Sequence, residues 1–239
     1  MFMKQICERR RPSVILPPPR GPCSACSGNG KEQMTSSATY FFDSLWPGLI
    51  LWGLLYVSDY YLTLTCARMY RGGASEKIAI EGSYEITPYF QSDIDSLRVV
   101  SPRFVAAFLW SGAWLALTWW FSLQSTAALY QIVLGAMIST ELAIHVRHVR
   151  NFFLFRAAAT SDVVRGRIEY SRLFMLRMSS IELLAFSGLF LLLFIFTQSW
   201  FTLGGAMSCL VTAGKHLKLA HKSPPAMPSG ARPGAAIES

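Results

Sequence analysis

The stretch "FVAAFLWSGAWLALTWWFSLQSTAALYQIVLGAMISTELAIHV", Phe104 to Val146, decides how this chain is built. It holds no lysine, arginine or aspartate and a single glutamate, and the only break in its apolar character is "QST", Gln124–Thr126. An α-helix rises 1.5 Å per residue, so about 20 apolar residues cross the hydrocarbon core of a bilayer. Either side of Gln124–Thr126 is long enough to do so, and a three-residue link leaves only a tight turn between them. The stretch therefore reads as a transmembrane helical hairpin.

Working outward, the same length test predicts five spans, at about 45–67, 104–123, 127–146, 179–197 and 200–219. The last is the least apolar, so four spans is the alternative. The fourth and fifth are joined by "QS", Gln198–Ser199, a second tight hairpin. Composition agrees: 52% of the 239 residues are hydrophobic, only 15% are charged, and mean hydropathy is +0.33. Soluble domains carry about 25% charged residues. The expected fold is all-α, a polytopic transmembrane bundle with short interfacial helices on its inner face.

The basic residues set the expected orientation. The hairpin turns contain none. The segments 68–103 and 147–177 hold five and seven, and the chain from Lys215 holds four. Five spans gather all sixteen on one side, so the positive-inside rule places the N-terminus outside and the C-terminus in the cytoplasm of a bacterial inner membrane. Trp46, Trp119, Trp120 and Trp200 fall at the opposite boundary, where an indole N–H can reach the headgroups. The net charge of +8 is thus explained by topology, with anionic lipid headgroups as the expected partner of the basic inner loop and no nucleic acid.

Residues 1–33 and 223–239 read as disordered tails around a membrane domain of 34–222. The first tail is rich in Pro, Gly, Cys and Arg, lacks the apolar core of a signal peptide, and fits an extension upstream of Met34. Its Cys23 and Cys26 form a lone CxxC with no second ligand pair nearby. Five scattered cysteines do not make a disulfide framework.

The two hairpins resemble one another. Each has Gln-Ser at the turn, Gly-Ala-Met in the returning helix, and histidines with basic residues at the inner end, as in a parallel duplication. Gly135, Ser139 and Ala143 are four apart, as are Gly204, Ser208 and Thr212. Rows of small residues let membrane helices approach closely, so the third and fifth spans are expected inside the bundle. The fourth, "LLAFSGLFLLLFIF", is bulky and is expected to face lipid.

Polar residues inside spans are the candidate functional groups. Asp59, near the middle of the first span, costs about 3 kcal/mol on insertion scales and must face the bundle with a partner. Ser58 and Thr63 are the nearest hydroxyls. Glu141 and Glu182 fall in the inner halves of the third and fourth spans. In "STELAIHVRHVR", Ser139–Arg150, Glu141, His145 and His148 share one helical face. All four histidines, His145, His148, His216 and His221, sit at inner helix ends, so a metal or a haem held between helices is one reading of them. Arg147, Arg150, Lys215 and Lys218 at the same level argue for a plain interfacial rim instead, with the two histidines in the headgroup zone.

In the loop "RMYRGGASEKIAIEGSYEITPYFQSDIDSLRVVSPRF", Gly72-Gly73 is expected to break the first helix. "YFQSDIDSLRVVS" is expected to lie on the membrane as an amphipathic helix with Asp93 and Asp95 on its polar side. Glu85, before Thr87-Pro88, is placed to brace a turn. The second loop, 147–177, alternates Arg with apolar residues and reads as two interfacial helices broken near Thr160–Asp162.

"DYYLT" followed by "EGSYEITP" resembles small bacterial membrane proteins with an intramembrane Asp in the first span and a Glu-x-Asn-Pro loop. The resemblance covers about Ser58 to Phe104, and Thr87 stands where that pattern has Asn. It implies Asp59, Thr63, Glu85 and Pro88 as positions to test, and no activity.

No GxSxG, no HExxH and no sizeable soluble domain is present, which argues against an enzyme. The sequence fits a structural, scaffold or accessory membrane subunit with a membrane-protein partner or a second copy of itself. A small proton-coupled carrier using Asp59 and Glu141 comes second, and a metal or haem protein third.

Overall fold

The computed structural model describes residues 40–160 and 164–222. Both tails, with Cys23, Cys26 and Met34, lie outside the described residues. The long helices are α1 (Leu45–Met69), α3 (Pro102–Ser122), α4 (Ala127–Thr160), α5 (Arg172–Thr197) and α6 (Trp200–Lys222), with a five-residue helix α2 (Gln91–Asp95) before α3. Four helices, Leu45–Lys77, Pro102–Ser122, Ala127–Thr160 and Arg172–Thr197, are long and apolar enough to cross a membrane.

Helix ends follow local chemistry. Ser101 opens α3 by accepting the Phe104 N–H (3.2 Å), with Pro102 at the first helical position, where its missing N–H costs nothing. Ser171 does the same for α5 through Phe174 N–H (3.2 Å). At the C-terminal end of α1 the helix widens into a π turn, Tyr70–Ala74, and breaks at Gly73, whose φ of 143° suits glycine alone.

Two expectations for the loops are corrected. α4 does not end near Val146; it runs unbroken to Thr160, and the first predicted interfacial helix is its continuation. "RHVRNFFLFRAAA" has no Pro or Gly and is rich in good helix formers. Its extension buries Phe155 and Ala158 against Cys66 of α1 and against Ala74 and Ile78 beyond the end of that helix. The predicted amphipathic helix shrinks to α2, and Asp93 is buried rather than on a polar face. Its carboxylate accepts from Ser101 Oγ (2.7 Å), with Arg98 3.4 Å and Arg103 4.0 Å away, so it braces the start of α3.

The all-helical expectation also missed a small sheet. β1 (Ile78–Ile80) and β2 (Ile168–Tyr170) pair in parallel, Ile78 opposite Ile168, and join the two loops. Glu81 N–H continues the ladder to Tyr170 O (2.9 Å), and Glu81 Oε2 accepts from Arg172 N–H (3.2 Å).

The small-residue rows do bring backbones together. A Cβ added to Gly135 would run into the Phe201 carbonyl, and one added to Gly204 into that of Ile132. Ser208 Oγ meets Thr140 Oγ1 (2.7 Å), and Ala143 is buried with Cys209 and Ala213. α5 lies antiparallel to α6, with Ser187 Oγ donating to Ala206 O (2.8 Å) and Ser180 Oγ to Ala213 O (2.9 Å). The outer face of α5 is bulky and exposed at Leu184, Leu189, Leu192 and Phe196. At the end of the bundle away from the loops, Trp52, Leu115, Tyr130, Leu134 and Ile138 form a closed core.

Gly135→Leu or Gly204→Leu should force α4 and α6 apart at a cost of about 1–3 kcal/mol or more. The expected result is a melting temperature lowered by several degrees in detergent. Gly188→Leu, at a position with open space around it, serves as the unaffected control.

Candidate functional site

α1 and α4 pack against each other, and the helical period puts Asp59 and Thr63 of α1 on the face that meets Glu141, His145 and His148 of α4. Ligand atoms of Asp59, Glu141 and His145 all lie within 4.8 Å of one another. Asp59 Oδ1 and Glu141 Oε2 are buried and accept no hydrogen bond among the described residues. Two carboxylates thus face each other with one oxygen each unserved.

The hydroxyls expected to serve Asp59 do something else. Thr63 Oγ1 donates to the Asp59 backbone carbonyl (2.9 Å), not to the carboxylate. Ser58 Oγ reaches the Leu55 carbonyl (2.9 Å) and His145 Nε2 (2.8 Å). The reason is geometric: a helical Thr folds its hydroxyl back onto the carbonyl one turn earlier.

The hydrogen bonds assign the two imidazoles opposite tautomers. His145 Nδ1 faces the Glu141 carbonyl (2.7 Å), which can only accept, so Nδ1 carries the proton and Nε2 presents a lone pair. His148 is the reverse. Thr63 has spent its proton on Asp59 O, so His148 Nε2–H donates to Thr63 Oγ1 (3.2 Å), and Tyr84 O–H donates to Nδ1 (3.3 Å). Asn151 Nδ2 in turn donates to Tyr84 Oη (3.4 Å). His148 Nε2 also lies 3.3 Å from Asp59 Oδ1. His148 is therefore not an exposed rim residue. It is 6% exposed, wedged between α1 and the loop, because α4 continues as a helix and keeps this face against α1.

The loop reaches the same place. A cavity of about 160 Å³ is lined by Asp59, Glu141, Arg147 and His148 from the helices and by Glu85 and Phe90 from the loop. Glu85 Oε1 accepts the Thr87 N–H (2.7 Å), the turn brace its position suggested, while Pro88 is exposed at the tip. Burial pushes the Glu85 carboxyl above its usual range, against the lowering effects of the Thr87 bond and Arg147. Burial also raises the Tyr84 phenol well above its ordinary value, so it remains a donor to His148. A second cavity, about 350 Å³, shares Glu85, Arg147 and His148 and extends to Arg150, Tyr170 and Met178.

The other candidates sit elsewhere. Glu182 pairs with Arg150. His216 Nδ1 lies 2.9 Å from Ser179 Oγ, and Arg147 donates to that same hydroxyl. His221 is exposed near the end of α6. The histidine pairs therefore turn away from each other, His145 and His148 toward α1 and His216 toward α5. Arg147 and Arg150 donate to Ser179 and Glu182 of α5, and Arg147 also lines the cavity beside Asp59 and Glu141. Sequence reasoning missed Tyr84 and Asn151, since a loop tyrosine and an interfacial asparagine carry no periodic signal. No protein-family profile, curated protein or solved structure matches this chain.

A carboxyl held above its usual range in the fold favours the protonated form. Its stabilising share is complete below the ordinary glutamate range and fades as pH climbs through the raised value. Glu85→Gln, which keeps an acceptor for Thr87, should flatten that fall. The variant's melting temperature in detergent should exceed the wild type's at pH 8 and converge with it toward pH 4.

Proposed function

We propose that this is a five-span, non-enzymatic accessory protein of a bacterial inner membrane, acting through a binding site open to the cytoplasm alone. The observation that carries this reading is polarity along the bundle. The ionisable side chains of α1 and α4 converge on the loop side, whereas the opposite half is filled by Trp52, Leu115, Tyr130, Leu134 and Ile138. A site sealed at one end and walled by loops at the other suits binding or sensing better than passage across the membrane.

Five spans are supported by α6. It runs antiparallel to α5, with Phe194 beside Trp200 near one end, Ser187 beside Ala206 midway and Ser179 beside His216 toward the other. A helix that shares the depth of its neighbour shares its membrane. Exposed Arg156, Arg165, Arg167 and Arg177 on the loop side then fit anionic headgroups. In a cysteine-free background, single cysteines at Thr126 and Ser199 should react with a membrane-impermeant maleimide in intact cells. Those at Ser83, Arg165 and Lys222 should react only after permeabilisation. Labelling of position 222 from outside would establish four spans instead.

The second reading, a small proton-coupled carrier, draws on the closeness of Asp59 and Glu141 inside the apolar layer. Purified protein in liposomes should show no proton or cation flux above empty vesicles. A flux that Asp59→Asn abolishes would make the carrier the correct description.

A further inference from the structure

We infer that Asp59, Glu141 and His145 form a binding site for a first-row divalent transition metal ion such as Zn²⁺, with His148 as the residue that positions Asp59. The inference rests on the loop-side site proposed above and names its ligand class.

Three ligand types converge: two carboxylates and one imidazole, with ligand atoms inside 4.8 Å of one another. That set suits zinc and its neighbours, which take His nitrogen and Asp or Glu oxygen at about 2.0–2.2 Å. Opposed ligand atoms in such a shell lie within reach of a central ion after small side-chain rotations. The unserved atoms point the same way. Among the described residues Asp59 Oδ1 and Glu141 Oε2 accept no hydrogen bond, with His148 Nε2 standing 3.3 Å from Asp59 Oδ1, and buried carboxylate oxygens without donors are costly. One cation between them serves both.

The imidazole is prepared for the role. Metal-bound histidines commonly donate their second ring N–H to a carbonyl, which fixes the tautomer and the ring. His145 does so through Nδ1 to Glu141 O, and its Nε2 presents a lone pair toward Ser58 Oγ, 2.8 Å away. The proton accounting around Ser58 agrees. Its one hydroxyl proton lies within reach of both His145 Nε2 and Leu55 O and can serve only one. A cation on Nε2 leaves that proton for Leu55.

His148 has the opposite arrangement. Both its nitrogens are engaged, Nε2–H with Thr63 and Nδ1 with Tyr84. It stands 3.3 Å from Asp59 Oδ1, close enough to fix where the carboxylate lies. Three protein ligands leave a coordination position open, and the neighbouring cavity of about 160 Å³ has room for water or a small anion there.

The test uses the full chain in detergent, stripped with a chelator and titrated with Zn²⁺, with Co²⁺ and Cu²⁺ as spectroscopic probes. One Zn²⁺ per chain is expected. Asp59→Asn, Glu141→Gln and His145→Ala should each weaken binding at least 100-fold. His148→Ala should weaken it about 10–100-fold, as loss of a supporting partner does, and His216→Ala should leave it unchanged. Wild-type spectra keep the test independent of variant folding: Cu²⁺ resonance should show coupling to one imidazole nitrogen. A folded chain that takes up no metal, or full affinity in His145→Ala, overturns the site, and coupling to two imidazoles overturns the role given to His148. Cysteine labelling decides the loop-side reading separately. A metal-free chain with the expected labelling would remove the ion and leave that reading standing.

Discussion

An ionisable group inside an apolar layer must find its partners within the protein, and the α1–α4 interface is arranged around that demand. Asp59 cannot turn to lipid, and it meets a small cavity and protein groups instead. Every polar atom near it belongs to α4, to its own helix, or to the loop that folds back over the pair. The aromatic core on one side of this layer and the Cys66–Phe155 core on the other hold the two helices in the register that keeps Asp59 opposite Glu141.

The bundle then divides its labour by residue size. Where α4 meets α6, Gly135 and Gly204 let main chains touch, and serine and threonine hydroxyls bond across the gap. Where α3 and α5 look outward, Trp110, Trp114, Leu192 and Phe196 present bulk to the surroundings. Dispersion and a few hydrogen bonds hold such contacts, because lipid tails offer no hydrophobic gain for burying leucine. That leaves the wide, small-residue face of α4 free to serve two neighbours at once, α6 along one side and α1 along the other.

Much of this was legible in the sequence, for physical reasons that also mark where legibility ends. Span positions follow from hydropathy over about 20 residues, a signal too long to arise locally by accident. The Gly135 and Gly204 rows were legible because only small side chains permit close backbones. The extent of α4 was not, since arginines in "RHVRNFFLFR" suit an interfacial helix and a continuing one equally, and only the packing of Phe155 decides. β1 and β2 were hidden because three residues carry no usable periodicity, and each strand exists only through a partner some 90 positions away. Glu141 was legible as a polar oddity on a membrane helix, and its closeness to Asp59 awaited the docking of two helices. The distinct tautomers of His145 and His148 depend on single carbonyl and hydroxyl positions that no pattern in the sequence encodes.

The contact between Ser58 and His145 spans 87 positions of chain. At a synthesis rate of 5–20 residues per second, α4 follows α1 out of the ribosome by roughly 4–17 s. Through that interval the Asp59 carboxyl has its own helix and the following loop for company but not Glu141, His145 or His148 of α4. The aspartate therefore sets a timetable as well as a geometry. The full polar surroundings of Asp59 are complete only once α4 has been made, so the most polar residue of α1 depends on a helix that follows it by some 80 positions.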